Sequence, residues 1–260
     1  MSLIRNADTL YEEYESLLLE RDRLRKEAGQ IWISYTKLFG RLISDVYKEK
    51  IECIKCKKII AYYQYQINHG GLVDMAAMQE YLEKEMAPYY QSLKQKIEEY
   101  NNCKDLKAAG EYEVRRSKTL YRRLAKLIHP DINPETVQRD ELKELWQRIV
   151  TAYNFNDIKE LTELEVLVRK ALNQTNSGDK KIHIPDIEER ILVVHKEIKD
   201  IIHNEPYNYK SLIEDEQAIE KKKAALQEEL VNYKKYHEEL DEIISQILSE
   251  GGIKLRWLMN

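Results

Sequence analysis

The feature that most constrains this chain is an apolar repeat along its first part, in alternating steps of four and three residues. The repeat contains Leu10, Tyr14, Leu17, Leu24, Ala28, Ile31, Tyr35, Leu38 and Leu42, and only Arg21 breaks the series. This spacing is typical of a heptad seam, in which one stripe of a long helix packs against another helix. No turn sequence follows before Asn68-His69-Gly70-Gly71, so we predict a helix of about 55–60 residues, roughly 80–90 Å long.

The rest of the chain also favours long helices. It has eight glycines and five prolines in 260 residues, and 34% of its residues are charged against 43% hydrophobic, a balance that suits elongated helix pairs. Gly70 can end the first helix in the left-handed conformation, and Asp74 is expected to cap a return helix over 75–108, with a kink at Pro88. We therefore predict an all-α fold of long antiparallel, coiled-coil-like hairpins.

Changes in composition divide the chain into three predicted segments. The sequence turns basic after Gly110, and a polar stretch follows Asn173. The predicted segments are an N-terminal helical hairpin at 1–110, a middle segment at 111–172 and a C-terminal helical hairpin at 173–260.

The C-terminal segment shows helix signals and an apolar tail. Asp186 is expected to cap a helix, Pro206 to interrupt it, and a final helix to span 209–249. The tail at 253–260, IKLRWLMN, is an apolar patch for which we predict no partner within the chain.

Charge and hydropathy argue against two classes of function. A net charge of −4 and a pI near 6.0 argue against a general nucleic-acid binder, because phosphate contacts require a positive surface. No apolar run approaches the roughly 18–20 residues that cross a bilayer, and the first residues lack the apolar core of a secretory signal. We expect a cytoplasmic protein without membrane contact, and its three cysteines suit a reducing compartment.

No pattern in the sequence indicates catalysis or a cofactor. A phosphate-binding glycine loop, a nucleophile elbow and a catalytic dyad are all missing, so we predict no enzymatic activity and no cofactor. Cys53 and Cys56 form a C-x-x-C pair, but a zinc site needs four ligands and the sequence has no second pair. We interpret both cysteines as packing residues and predict no metal site. His195 and His203 are expected to be ordinary surface or interface residues.

The middle segment contains the most informative motif. Residues 120–135 read LYRRLAKLIHPDINPE, a basic amphipathic helix that runs into two prolines. Pro130 disfavours helical geometry at His129, so the helix should end near Ile128. The prolines predict an exposed loop, followed by a second helix over about 135–155 that pairs antiparallel with the first.

This motif resembles the J-domain of the DnaJ co-chaperone family. The resemblance rests on Tyr121-Arg-Arg-Leu-Ala, on Ile128-His-Pro-Asp with the following Asn133-Pro, and on a helix through Trp146 where the family has its third helix. A short fourth helix would cover 156–167. The family's first helix has no counterpart in the preceding GEYEVRRSKT, and we infer that the end of the 75–108 helix takes its place. The likeness covers about fifty residues.

The resemblance implies a site and a partner. His129, Pro130 and Asp131 would form the loop that stimulates ATP hydrolysis by a DnaK-type chaperone. The electrostatic docking face would consist of Arg122, Arg123, Lys126 and Lys118. A cationic helix speeds association with an acidic surface, and a rigid loop offers directed hydrogen bonds. The family's Gly/Phe-rich linker, zinc-binding domain and client-binding region are not recognisable, so a client protein would bind the helical arms.

A competing hypothesis is a structural or scaffolding coiled-coil protein that keeps a J-like fold without chaperone-stimulating activity. The two hypotheses differ in one observable feature. The co-chaperone needs the His129 loop and the face around Arg122 and Lys126 exposed, whereas a scaffold can have them covered by the helical arms. A basic-patch nucleic-acid binder is a third hypothesis, and the acidic arms argue against it.

The long apolar seam at Leu10–Leu42 predicts a homodimer, because isolated helical arms of this length leave stripes unburied. Light scattering over a range of concentrations should detect a species of twice the 31.0 kDa chain mass. A mass of one chain at every concentration would contradict this prediction.

Overall fold

Helices make up nearly all of the chain that the computed structural model describes, which is residues 7–70, 72–106, 109–173, 184, 186–250 and 254–256. The helices are α1 (Ala7–Asn68), α2 (Met75–Lys104), α3 (Glu111–Ile128), α4 (Pro134–Gln138), α5 (Asp140–Asn154), α6 (Ile158–Asn173), α7 (Ile187–His203), α8 (Lys210–Glu214) and α9 (Glu216–Glu250). A 3₁₀ turn covers Tyr207–Tyr209, and two short strands are β1 (Leu72–Asp74) and β2 (Lys254–Arg256). The all-α prediction is confirmed. Within the described residues, none of the helices is both long and apolar enough to cross a membrane.

Local sequence rules account for most helix boundaries. The heptad seam predicted one long helix, and α1 is 62 residues long. The carboxylate of Asp74 accepts hydrogen bonds from the backbone N–H groups of Ala76 and Ala77, at 3.0 and 3.2 Å, so the predicted cap of α2 is confirmed. The helix continues through Pro88 and ends at Lys104, a few residues before the predicted end.

Several predicted boundaries are wrong. The single helix predicted over 135–155 is two helices, because Arg139 adopts an extended conformation between α4 and α5. The final helix is divided at Asp215, whose carboxylate caps α9 by accepting from the backbone N–H of Gln217 at 2.9 Å. Asp186 precedes α7 as predicted, but its backbone is left-handed and its side chain makes no capping hydrogen bond.

The apolar tail has a partner within the chain, contrary to the prediction. The backbone of β2 pairs in parallel with β1, with Leu72 opposite Lys254 and Asp74 opposite Arg256. The remainder of the tail, residues 253 and 257–260, and most of the predicted polar linker, residues 174–179, lie outside the described residues.

The chain divides into two compact units, each made of two stretches of chain. Unit 1 contains Met1–Trp32 and Lys107–Lys210, and unit 2 contains Ile33–Leu106 and Ser211–Asn260. The sequence instead predicted three consecutive segments, and it could not indicate that distant stretches would pack together.

Unit 1 has a core of α3, α5 and α6. Leu120, Leu124 and Ile128 lie one turn apart on α3, and each is at most 1% exposed. They pack against Leu142 and Ile149 of α5 and against Leu161, Leu164 and Val168 of α6. A second cluster joins Leu10, Tyr14 and Leu18 of α1 to Ile132 in the loop after α3, and to Ile184, Ile191 and Val194.

The start of α1 packs beside the α3–α5–α6 core, where the sequence predicts the end of the second helix. Leu19 packs against the α3–α5–α6 core, and Leu18 shares a cluster with Ile132. Residues 75–104 belong instead to unit 2. The apolar face of α3 is thus covered by α5 and α6, with an added contact from Leu19, about a hundred residues earlier in the chain.

Unit 2 is built mainly from the remainder of α1 with α2 and α9. Phe39 and Val46 of α1 pack with Leu226 of α9, and further along α1 the thiols of Cys53 and Cys56 pack with Leu240. On α2, the ring of Tyr100 lies so close to Gly40 that a side-chain carbon at this glycine would meet it at 3.0 Å, so glycine permits this close approach.

Substitution of the unit 1 core should lower stability far more than an equivalent surface change. Leu124→Ala removes a fully buried side chain, which typically lowers the free energy of unfolding by about 2–5 kcal/mol. Val166→Ala, at a residue 65% exposed on α6, should change it by no more than about 0.5 kcal/mol. Chemical denaturation followed by circular dichroism would test the difference, and equal midpoints for the two variants would contradict this core assignment.

Candidate partner-binding site

The loop after α3 begins where the sequence predicted. His129 has φ −63° and ψ 126°, an extended conformation, and its backbone N–H closes the helix on the carbonyl of Ala125 at 2.9 Å. Pro130 causes this ending, because its ring disfavours the helical conformation at the preceding residue. The loop is short, since Asn133 caps α4 by accepting from the backbone N–H of Glu135 at 3.0 Å.

The ring of His129 is buried and both of its nitrogens are bonded within the chain. The residue is 3% exposed, and the ring edge lies against Trp146 with centroids 4.7 Å apart. Nδ1 accepts a hydrogen bond from the backbone N–H of Asp131 at 3.1 Å. Nε2 therefore carries the proton, and it donates to a carboxylate oxygen of Asp22 on α1 at 3.2 Å.

Asp22 joins α1 to α3 and to the loop. Its Oδ2 accepts from the hydroxyl of Tyr121 at 2.6 Å as well as from His129, and its Oδ1 accepts from the guanidinium of Arg21 at 3.2 Å. Burial acts to raise the pKa of Asp22, but the hydrogen bonds from His129 and Tyr121 outweigh it and leave the pKa below its ordinary value. The carboxylate is thus charged and fully bonded at neutral pH.

Asp131 forms an ion pair with α1 as well. The guanidinium of Arg21 donates to the carboxylate of Asp131 at 3.1 Å and to that of Glu197 on α7 at 3.2 Å. The side chain of Arg21 is only 9% exposed, whereas that of Asp131 is 40% exposed. Pro130 is half-buried. One side of the loop therefore contacts α1, and the other side reaches the surface.

The prediction of an exposed loop is thus wrong for His129. Prolines indicate where the backbone must turn, but not which other helix covers the turn. Here Tyr14 and Leu18 of α1 pack with Ile132, immediately after the motif, and hold α1 over the histidine.

The predicted docking face is partly neutralised by acidic residues of unit 1. Arg123 donates to both carboxylate oxygens of Glu165 on α6, at 3.0 and 3.2 Å. Lys126 forms an ion pair with Glu15 of α1 at 2.8 Å. These two side chains are 47% and 61% exposed, so each pair is accessible to water and contributes little to stability.

Arg122 and Lys118 are the other two residues of the predicted docking face. Arg122 is exposed and Lys118 half-buried, and neither forms an ion pair within 4.0 Å among the described residues. The pKa of Glu20 on α1 is lowered first by its hydrogen bond from Arg23, and the charges of Lys118 and Arg122 add to this effect. The structure therefore leaves part of the cationic face open while acids of α1 lie beside it.

A cleft of about 330 Å³ lies beside the loop. Its lining includes the aromatic rings of Tyr121 and Trp146, the charged groups of Arg25 and Asp131, and Pro130. His129 also lines the cleft, but both of its ring nitrogens are already bonded within unit 1. A partner side chain that entered would meet the Asp131 carboxylate, which is 40% exposed.

A second polar centre, which the sequence analysis missed, lies at the other end of α3. The ammonium of Lys26 donates to Oδ1 of Asn156 at 2.6 Å and to the hydroxyl of Ser117 at 3.3 Å, and it lies 3.7 Å from the ring centroid of Tyr153. Burial lowers the pKa of Lys26 to about 8. Nothing in the local sequence marks Lys26, whereas Arg21 was visible as the single break in the heptad seam.

The two cysteines of the C-x-x-C pair are buried in unit 2, as predicted for packing residues. The thiol of Cys53 donates to the carbonyl of Tyr233 at 3.4 Å, whereas that of Cys56 lies 3.5 Å from a carboxylate oxygen of Asp241. The two thiols therefore have different partners on α9.

Comparison of the chain with protein-family models, with curated proteins and with solved structures gave no match. The assignment of function therefore rests on the residues and contacts described above.

The depressed pKa of Lys26 predicts a specific pH dependence of stability. Between about pH 8 and 10.5 the unfolded chain retains a proton at this site that the folded chain has lost, so the free energy of unfolding should rise with pH in this range. Lys26→Met should lose this rise, and Lys143→Met, at a surface lysine, should retain it. Denaturation midpoints at pH 7, 8, 9 and 10 would show the difference, whereas parallel curves for wild type and Lys26→Met would contradict it.

Proposed function

We propose that this chain is a J-domain-like scaffolding protein of the cytoplasm, in which α1 closes the loop that would dock on a DnaK-type ATPase. One observation supports the proposal above the others: both ring nitrogens of His129 are bonded inside unit 1. A loop that is to engage another protein needs its hydrogen-bonding groups available, and here α1 already takes them. In this proposal His129 has a structural role: it links the end of α3 to Asp22 on α1 and to Trp146 on α5.

The free energy needed to separate α1 from the loop supports a resting state in which α1 covers the loop. Removing α1 from the loop would expose Leu10, Tyr14 and Leu18, which are at most 8% exposed. Each such side chain costs roughly 1.5–3 kcal/mol to expose, so opening costs on the order of 5 kcal/mol. At about 1.4 kcal/mol per factor of ten, fewer than roughly one molecule in a thousand would be open without a partner.

The second candidate is a J-domain-like co-chaperone that docks on and stimulates a DnaK-type ATPase. Two observations favour it: Arg122 is exposed without an ion pair in the described part of the chain, and the Asp131 carboxylate is 40% exposed beside the cleft. A cation of the partner could approach the exposed side of the Asp131 carboxylate while Arg21 keeps its ion pairs with Asp22 and Glu197. Binding energy would then shift the population towards the open form.

Each candidate function implies different partners for unit 1 and unit 2. A scaffold would use the long helices of unit 2 to bind a structural partner or a second copy of the chain. A co-chaperone would use them to bind a client protein while unit 1 contacts the ATPase. Neither role requires a membrane, a nucleic acid or a cofactor.

The ATPase rate of a DnaK-type chaperone distinguishes the candidates. The scaffold proposal expects no change in steady-state turnover, within error, when the wild-type chain is added. It expects the same for Arg21→Gln/Asp22→Asn, in which the ionic contacts of α1 with the loop are removed. Arg25→Gln is the matched control, because Arg25 lies on α1 near the loop and pairs only with Glu197 among the described residues.

Two results would overturn the scaffold proposal. A several-fold gain with wild type that His129→Gln abolishes would establish a co-chaperone with an accessible loop. A gain seen only with Arg21→Gln/Asp22→Asn, and lost when Asp131→Asn is added, would establish a co-chaperone that α1 inhibits. Circular dichroism of each variant would verify that it is folded.

The structural role of His129 also predicts an effect on stability that does not depend on a partner. His129→Leu, which has no donor, would leave Asp22 without one of its buried hydrogen bonds, and this should lower the free energy of unfolding by about 1–3 kcal/mol. An unchanged denaturation midpoint would show that the histidine is not needed for the fold.

A further inference from the structure

A cluster of metal-binding side chains lies in unit 2, where the sequence predicted only packing. One ligand atom each from Cys56, His237 and Asp241 lies within 4.8 Å of the others. The thiol sulfur of Cys56 is 3.5 Å from Oδ1 of Asp241, and Nε2 of His237 is 3.7 Å from Oδ2 of the same residue. A thiol, an imidazole and a carboxylate thus converge between α1 and α9.

The spacing of the three residues explains the convergence. His237 and Asp241 are four residues apart on α9, which places them on the same face one turn apart. Cys56 faces them from α1. The sequence places Cys53 next to Cys56 in a C-x-x-C pair, but the other two metal-binding groups, His237 and Asp241, lie on α9, far from Cys56 in the sequence.

A carboxylate orients the histidine for metal binding. Nδ1 of His237 lies 2.6 Å from Oε1 of Glu49 on α1, so Nδ1 carries the proton and donates it to this acid. Nε2 is then left with its lone pair directed towards the cluster. A carboxylate behind the histidine is the usual arrangement at protein metal sites, where it fixes the tautomer and makes the imidazole a stronger ligand.

We propose that Cys56, His237 and Asp241 bind a divalent metal ion of the zinc class, with water in the fourth position. Bonds of about 2.0–2.3 Å in a tetrahedron require ligand atoms roughly 3.3–3.8 Å apart. The sulfur of Cys56 and Nε2 of His237 lie 3.5 and 3.7 Å from different oxygens of Asp241, and one ligand atom from each residue lies within 4.8 Å of the others, so binding requires these side chains to close by up to about 1 Å. On binding, the Cys56 thiol releases its proton to solvent and the thiolate coordinates the ion.

The donor set and the exposure of the site favour this class of ion. Thiolate and imidazole suit Zn²⁺ and related ions, whereas Mg²⁺ and Ca²⁺ prefer oxygen ligands. Cys56 is buried, while the side chains of His237 and Asp241 are 26% and 62% exposed. An ion can therefore enter from the side of α9, and a water molecule can reach it. Once bound, the ion would link α1 to α9 within unit 2.

Cobalt(II) provides a direct test, because a tetrahedral thiolate site gives intense visible bands and a sulfur-to-cobalt charge-transfer band. Titration of the metal-free protein with Co²⁺ should produce these bands at one equivalent, and Zn²⁺ should displace them. Cys56→Ser should abolish the charge-transfer band. Asp241→Asn, at an exposed residue, should weaken Co²⁺ binding at least tenfold without affecting the fold.

Two further variants distinguish a site from general thiol reactivity. Cys53→Ser is the matched control, since Cys53 is buried in the same cluster but bonded to the Tyr233 carbonyl, and it should leave the spectrum unchanged. Glu49→Gln should reduce affinity about 10–100-fold through the orientation of His237. The proposal is overturned if Co²⁺ gives no such bands, or if the bands persist in Cys56→Ser. Either result would mean that Cys56 only donates a hydrogen bond to Asp241.

Discussion

The hydrogen bonds of the buried Asp22 carboxylate hold α1, α3 and the loop after α3 together in unit 1. A charge removed from water must be surrounded by donors, and here Tyr121, His129 and Arg21 provide them. These donors come from α3, from the loop and from α1 itself, so a single acid fixes the relative positions of three elements. The accessibility of the loop is consequently decided by α1. The loop at His129-Pro130-Asp131 therefore has the backbone turn that Pro130 predicts, but Asp22, about a hundred residues earlier, determines what surrounds it.

Much of the fold could be predicted because the relevant rules are local. The apolar repeat predicted α1, Asp74 predicted the start of α2, and Pro130 predicted the end of α3 at Ile128. The failures occurred where a distant contact decides the conformation. At the break between α4 and α5, the guanidinium of Arg139 donates to the carbonyl of Ala171 on α6, and no short window of sequence contains that partner.

The candidate sites show the same limit. The sequence indicated which residues carry chemistry, but their environments come from other stretches of chain: Asp22 covers His129, and α9 completes the cluster around Cys56. One signal was available in advance. Arg21, the single polar break in the heptad seam, is the residue that binds Asp131. A charged residue at a seam position must find a buried partner or lower stability, so such a break indicates a specific contact.

The pairing of β1 with β2 has a consequence for how the chain is made. The ribosome releases residues in order, yet β1 at Leu72–Asp74 must wait for Lys254–Arg256 before its backbone is paired. All of the second stretch of unit 1 is synthesised during that interval. The apolar faces of α1 and α2 that belong to unit 2 are then left without α9 while translation continues, which is the period in which chaperones commonly protect nascent helices. Unit 2 is therefore a late-maturing part of the molecule, completed only after its neighbour along the chain has been made.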